Sequence, residues 1–525
     1  MRRIAYLWSE ELMRVADSLP ANQGRSRLVH GLIGALGLVD LDNVREYTSA
    51  PSLPDPSADD SETVNGEDID GDDSPGPIPT HNDTDRLQAE AGDIATDEHQ
   101  TMSNTNGTEE DGRTEVNGRI DHQATSKTVD VKVIAPDPIL CEASELRRYH
   151  DASYVGELLV WLPQLTSEYL LYGRGTDTDE EEEFAPRKRR RKDRSHKLGL
   201  EYDCPPFLEL PRYAALVAGA TLTACRMLAR GEADIAVVWD GGRHHAGRAK
   251  ASGFCYVADA VLGILLLCRE GVPRPTPFPS PRSSSAPTPT RRARILYLDL
   301  DLHYGDGVAR AFACPTHFSH PLRRKPRPPQ VLTLSMHHVS PLFFPPGAPG
   351  TSEGDTPHPF NLSLGLAEHA GAATYARLWA NVEKVYQAWG PDYVVLQLGV
   401  DGLPRDPIGQ VGGWNTAGEG GIAWIVEQVL AWRVPVAVLG GGGYHHANAA
   451  RAWATATSVL LGREMGPETD IPDAFEQVDA FAPGFTLEVE PSHVPDKTTR
   501  EELEAADAAF DVIAGRIREI RALHE

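Results

Sequence analysis

The sequence predicts an α/β fold: a mainly parallel central sheet covered by helices on both faces. Three observations carry that prediction. Short apolar runs of strand length alternate with longer amphipathic segments, as repeated strand–helix units require. Acids and histidines gather at the C-terminal ends of those runs, where open α/β sheets place their chemistry. Glycines follow the same run ends, allowing the backbone to turn tightly beside a ligand.

Taken in order, residues 4–47 read as folded. Residues 51–130 hold 21 acidic against 4 basic side chains, are poor in aromatics and rich in Asp, Ser, Thr, Gly and Asn. Such a composition cannot bury enough apolar surface to order itself, so it is read as an acidic disordered insertion. Folded sequence resumes near Val131 and continues to residue 525, interrupted by a charged loop at 175–196, a Pro/Ser-rich loop at 271–293 and a Pro/Arg-rich loop at 320–329. Between these, the pattern gives helices near 213–230, 256–268, 370–389, 417–432 and 446–461, and strands at 234–239, 294–301, 331–336, 392–399 and 434–439. After Thr499, which can form a capping box with Glu502, apolar Leu503, Ala506, Phe510, Ile513, Ile517 and Ile520 recur at helical spacing and predict a terminal helix docked on the body.

Composition narrows the function. The 525-residue chain is 41% hydrophobic, enough for one large core, and its formal charge of -26 argues against direct nucleic-acid binding, which needs Lys and Arg to neutralise phosphate. A basic protein tail fits that charge better as a partner. Cys141, Cys204, Cys225, Cys255, Cys268 and Cys314 include no CxxC pair, which points to a reduced, intracellular protein without a structural thiolate–zinc site. No apolar run is long enough to span a bilayer, so no membrane partner is expected. The basic run 187–192 resembles a nuclear localisation signal, and the expected location is the nucleus, with the cytoplasm as a second compartment.

Four run ends carry chemistry. In the run 295–303, Asp299, Asp301 and His303 alternate with Leu296, Leu298, Leu300 and Leu302, placing acid and imidazole on one face. Carboxylates in an apolar strand need hydrogen bonds or a cation to offset desolvation, and an Asp/His pair suits zinc. A second run, 394–401, ends in Asp401. A third leads into Asp240-Gly241-Gly242-Arg243-His244-His245, and a fourth into four glycines before Tyr444.

Together the motifs D-G-G-x-H-H, A-S-G-F-C-Y, Y-x-D-x-D-x-H-x-G-D-G, Q-L-G-x-D and G-G-G-G-Y resemble the class I zinc-dependent histone deacetylases, on the histone deacetylase 8 branch. The resemblance implies a single arginase/deacetylase-like domain that hydrolyses the acetyl amide of acetyl-lysine in histone tails or other acetylated chromatin proteins. It implies Zn2+, with Fe2+ as a substitute, held by Asp301, His303 and Asp401. It implies His245, paired with Asp306, as general base and acid, His244, paired with Asp299, as electrostatic partner, and Tyr444 as oxyanion donor. Gly253, Phe254 and Phe344 would line the lysine channel, Asp203 would hold the substrate backbone, and Arg25 would lie near an acetate-release cavity. K+ would bind through Asp299, Asp301, His303, Ser335 and Met336.

Departures from the family also carry expectations. Asn22, Pro407 and Ala447 stand where corepressor-bound relatives carry basic residues, which argues against inositol phosphate binding with a corepressor. Tyr304 replaces a histidine, Ile408 a Leu or Met of the channel wall, and Arg243 an apolar residue; Arg243 is expected near the pocket mouth. Alternatives are deacetylation of cohesin or of acetylpolyamines, and a catalytically silent acetyl-lysine reader. A manganese arginase is disfavoured, because its binuclear centre needs further ligands.

Overall fold

The structure, a computed structural model, describes residues 2–48, 129–160, 196–274, 291–313, 330–352, 359–463 and 465–523. They belong to one unit formed by Met1–Ala50 and Lys127–Glu525. Most of the acidic segment 51–130, the basic run 187–192, the loop 320–329 and Cys314 lie outside the described residues; the other five cysteines are free thiols.

Among the described residues, nine strands form one sheet in the order β2-β3-β1-β4-β9-β8-β5-β6-β7, and every pairing is parallel. They are β1 Arg2–Leu7, β2 Val44–Arg45, β3 Val129–Ile134, β4 Ile235–Val238, β5 Ile295–Asp299, β6 Val331–His338, β7 Asn361–Leu366, β8 Tyr393–Gln397 and β9 Val436–Leu439. The helices are α1 Glu10–Ala16, α2 Arg25–Ala35, α3 Ala143–Leu146, α4 Ala152–Val160, α5 Leu210–Ala229, α6 Asp259–Glu270, α7 Asp306–Ala311, α8 Ala372–Trp389, α9 Ile422–Ala431, α10 His446–Leu460 and α11 Arg500–Ala522.

The central strands are almost uniformly apolar because both faces are covered. Leu296 and Leu298 of β5 join Val394, Leu396, Val436 and Val438 in a core closed by α2, α8, α9, α10 and α11. Ile295 and Tyr297 join Tyr393, Val395, Ala437 and Leu439 in a second core closed by α1, α4, α5 and α6. Successive side chains therefore feed opposite layers. Because all strands run one way, the C-terminal ends of neighbours β4, β9, β8 and β5 meet at one edge.

The segment pattern located strands β4, β5, β6, β8 and β9 and helices α5, α6, α8, α9, α10 and α11, with informative differences. β5 ends at Asp299 rather than 301: Leu300 N–H still donates to Gln397 O of β8, but Asp301 N–H turns to Asp299 Oδ1 and Leu302 N–H to Asp401 Oδ1. β7 was not expected, although Leu362, Leu364 and Leu366 alternate with Asn361, Ser363 and Gly365; its polar residues hide an edge strand. β3 begins at Val129, inside the segment read as an insertion. The ends of the 271–293 loop are tied down, Val272 N–H donating to Tyr393 Oη and Arg291 pairing with Asp392. The terminal helix forms as expected: both bonds of the Thr499/Glu502 capping box are made, and Ala506, Phe510, Ile513 and Ile517 are buried.

One buried histidine gives the fold an acid-sensitive point. His150 Nδ1–H donates to Arg248 O at 3.1 Å and Nε2 accepts from Ala258 N–H at 3.0 Å, an arrangement only the neutral ring can make. Burial lowers its pKa from 6.5 to about 4. A base with a depressed folded-state pKa stabilises the fold above its unfolded value, and that contribution is lost as pH falls from 6.5 through 4. The linkage amounts to about 3 kcal/mol at most. Denaturant midpoints should fall across that window in the wild type and fall less in His150→Gln; equal slopes would exclude His150 as the cause.

Candidate metal centre and catalytic pocket

The loop after β5 and the loop after β8 place Asp301, His303 and Asp401 together, with one ligand atom from each lying within 4.8 Å of the others. All three are buried. His303 Nδ1 lies 2.7 Å from Asp401 Oδ2 and 3.3 Å from Asp301 Oδ1. Surrounding donors orient both acids: Gln397 Nε2 and Gly442 N–H donate to Asp301 Oδ2 at 3.0 and 2.8 Å, and Leu302 N–H donates to Asp401 Oδ1 at 2.9 Å. Burial, then the charge of Asp301, pushes Asp401 up to about 7. Burial opposes ionisation of Asp301 as well, but the imidazoles of His244 and His303 hold it well below the carboxylate range. Two buried carboxylates this close repel unless a cation joins them, so the donor set of two oxygens and one imidazole nitrogen fits a divalent ion such as zinc.

The glycines explain how backbone comes so near. A Cβ on Gly442 would stand 2.3 Å from Asp401 Oδ2 and 2.9 Å from Asp301 Oδ2. Gly442→Ala is therefore expected to displace both ligands and weaken metal retention by about 10- to 100-fold, the scale of lost supporting contacts. Metal content after dialysis checks this; wild-type retention would show that the loop yields instead.

The paired histidines follow β4. His244 Nδ1–H donates to Asp299 Oδ2 at 2.9 Å, and His245 Nδ1–H to Asp306 Oδ1 at 2.8 Å, with ring centroids 4.0 Å apart. Burial disfavours charge on His244, but Asp299 and Asp301 outweigh it and raise the pKa to about 9. Burial and then the His244 charge lower His245 to about 4. Two adjacent imidazoles thus differ: near neutral pH one is a cation and the other a free acceptor at Nε2. Asp306 opens α7.

Tyr444 is half-buried, its ring centroid 5.4 Å from that of Phe254. Phe344 packs edge-on against His245 at 4.9 Å. Gly253 has φ +53°, and a Cβ there would meet His245 Cδ2 at 2.5 Å and Phe344 Cε1 at 2.8 Å, so that wall tolerates only glycine. Asp203 Oδ2 accepts from Gly253 N–H at 2.5 Å, tying the rim acid to the channel wall. Arg25, at the start of α2, is buried and donates from Nη1 to Gly441 O and Gly443 O, both at 3.0 Å. Of the potassium set, Asp299 is the register partner of Ser335 across β5 and β6 and Met336 follows on β6, whereas Asp301 and His303 lie in the loop after β5. Ser335 Oγ is engaged with His337 Nδ1 at 2.9 Å.

Arg243 is not at the mouth. It is 4% exposed and donates from Nη2 to Asp240 O. The cause lies in its backbone: Asp259, at the start of α6, accepts from Gly242 N–H and Arg243 N–H at 2.9 and 2.7 Å and draws this turn inward.

Two contributors were not recognised from sequence. Buried Asp406 accepts from Tyr444 N–H at 2.6 Å and from Ile408, Gly409 and His445 N–H groups, so it fixes the tyrosine's backbone. Its position between Arg405 and Pro407 offers no periodic signal. Phe343 stacks on His303, centroids 4.7 Å apart at 14°. It hides beside Phe344.

Comparison with known proteins agrees with this geometry. The histone deacetylase domain family matches residues 113–460. The chain is similar to histone deacetylase 8 of Xenopus laevis, 37% identical over 308 residues that cover 58% of this chain and 82% of the relative. It is similar to histone deacetylase 8 of Danio rerio, 35% identical over 325 residues, covering 62% and 74%. Histone deacetylase 9 of Arabidopsis thaliana is 33% identical over 306 residues, covering 58% and 62%.

Proposed function

Because the chain belongs to the histone deacetylase family, class I, on the histone deacetylase 8 branch, we propose that it is a zinc-dependent lysine deacetylase acting in the nucleus on acetylated histone tails. The observation that carries this reading is the convergence of Asp301, His303 and Asp401 beside two adjacent histidines, each bonded to its own buried carboxylate. A zinc ion held by these three residues would polarise the acyl carbonyl and lower the pKa of water from roughly 16 to about 7.

The protein groups account for the rest of the chemistry. His245, neutral and oriented by Asp306, accepts the proton of the attacking water at Nε2. It then returns that proton to the lysine amine as the C–N bond breaks. His244, cationic against Asp299, stabilises negative charge developing on the acyl oxygen without transferring a proton. Tyr444 donates its hydroxyl to the same oxygen. Phe254 and Phe344 shield the aliphatic lysine stem from water, and Asp203 on the rim accepts from peptide N–H groups, which favours a protein substrate over an acetylpolyamine. Asp299, Asp301, His303, Ser335 and Met336 are the proposed K+ site. The uncharged Asn22, Pro407 and Ala447 support a stand-alone enzyme rather than one bound to a corepressor through inositol phosphate.

The test is turnover of acetylated histone, acetylated cohesin and acetylspermidine substrates by the zinc-loaded chain, with and without a hydroxamate chelator. Hydroxamate-sensitive turnover of histone peptides supports the reading. Preference for acetylspermidine would move the substrate class, and zinc-bound protein inert toward all three would favour a silent acetyl-lysine reader.

A further inference from the structure

At the edge of the sheet opposite the metal centre, three arginines line one cavity of about 490 Å³. Arg2 opens β1, Arg274 follows α6 and Arg433 follows α9, and the neighbouring strands β4 and β9 begin at the same place with Ile235 and Val436. Arg2 and Arg274 are half-buried and Arg433 is exposed. The rest of the wall is mostly apolar, made by Ile235, Leu430, Val434 and Pro435. β4 runs from here to the histidine pair and β9 to the glycine turn. At roughly 3.3 Å per residue, Asp234 and Asp240 stand about 20 Å apart, so the cavity is separate from the catalytic pocket.

The charge in this cavity is not balanced from within. Asp234 is the acid among its lining residues, and Arg3 already engages it: the Arg3 backbone N–H donates to Oδ2 at 2.9 Å and Nη2 to Oδ1 at 2.7 Å. Burial opposes ionisation of Asp234, but Arg3 outweighs it and, with a smaller contribution from Arg274, holds the acid below the carboxylate range. Among the described residues no acid lies within ion-pair distance of the guanidinium of Arg2, Arg274 or Arg433, and none of the three donates a side-chain hydrogen bond. Two of them are held in place. Arg274 N–H donates to Asp392 Oδ1 at 2.6 Å, and its guanidinium lies 5.9 Å from the Tyr393 ring centroid. Arg433 stands at φ +56°, the left-handed position after a helix where glycine is the least strained residue. The chain as a whole carries a charge of -26, so its long-range field repels anions, and one retained here is retained by local contacts.

We propose that Arg2, Arg274 and Arg433 form a binding site for a diphosphate group, of which a nucleoside diphosphate is the better-fitting source. A cleft lined by charges of one sign between apolar walls concentrates their field. A single carboxylate would engage one guanidinium fork and leave two. A diphosphate presents several charges, with oxygens on two phosphorus centres, and can engage all three. The wall made by Ile235, Leu430, Val434 and Pro435 takes the flat face of a base, and the volume falls within the range of about 300–1,000 Å³ common to small-molecule sites. Inorganic pyrophosphate offers the same charged group without a body to lie against that wall. The site goes beyond the deacetylase reading and does not depend on it.

The experiment titrates the full zinc-loaded chain in a calorimeter with ADP and with sodium pyrophosphate, a hydroxamate being present to keep phosphate from the metal. Arg433→Gly and Arg274→Gln are titrated beside it, each first shown by its melting curve to be folded. Arg433→Gly keeps a backbone that glycine adopts freely and should melt close to wild type, so it decides if Arg274→Gln fails to fold. The expected result is saturable binding by wild type, tighter for ADP than for pyrophosphate, and about tenfold weaker binding of both in each variant, the scale of one lost charge-assisted pair. Pyrophosphate bound as tightly as ADP, with the same loss in the variants, supports the diphosphate site and assigns it to the free anion. The basic run 187–192 is present in all three proteins, so binding there would survive the substitutions. Equal affinity in wild type and folded variants, or no saturable binding by wild type, would overturn the site. Because the readout is heat of binding, a chain inert toward every acyl-lysine peptide would end the deacetylase reading and leave this result standing.

Discussion

Replacing Tyr444 by Phe is expected to reduce turnover of an acetyl-lysine peptide by about 100- to 1000-fold, the cost of one missing oxyanion donor in other hydrolases. The fold and the metal should be unaffected. The ring keeps its edge-on contact with Phe254, and the tyrosine's backbone N–H is held at 2.6 Å by Asp406 Oδ2, a bond the substitution keeps. The loss should fall on kcat rather than KM, because the hydroxyl matters most where negative charge develops. Comparable kcat for wild type and variant, at equal zinc content, would remove Tyr444 from the mechanism.

Asp401→Asn should abolish activity through a different route. It removes one of two anionic ligands, leaving Asp301 and His303, and turnover should drop by about a thousandfold or more as both electrophile and water activation are lost. Zinc measured after dialysis should fall in parallel. The metal-free protein should respond in the opposite direction. Without a cation, Asp401 is an acid pushed up to about 7 by burial and by Asp301, so removing its charge relieves repulsion. The apo variant should therefore melt at or above the apo wild type. A variant that kept stoichiometric zinc, or whose apo form melted well below wild type, would contradict the assignment of Asp401 as a ligand.

The site residues themselves were readable because metal and acid–base chemistry admits few side chains, and these stand at the ends of apolar runs. Asp299, Asp301, His303 and Asp401 could be picked out, as could the histidine pair and the glycines. Their supports were harder to see. Asp406 acts through hydrogen bonds to backbone amides, and Phe343 through a stacking contact with His303. Such contacts depend on where loops cross, and loop sequence carries no period. Edge strand β7 was missed for a related reason: its alternate positions are Asn361, Ser363 and Gly365, so the apolar signal is halved.

Arg243 marks the boundary most clearly. A charged residue next to a reactive pair reads as exposed, because buried charge is rare without a partner. The tertiary structure turned it inward, since Asp259 on α6 captures the amides of Gly242 and Arg243, from 17 and 16 residues away in sequence. Sequence alone determined the parallel α/β class, the chemical kinds at each strand end and the helical terminus, because periodicity and residue type are local properties. Only the folded chain decided which ends are neighbours. The insertion of β8 and β9 between β4 and β5 brings Asp401 to His303, and that adjacency arises from long-range strand pairing that no local pattern encodes.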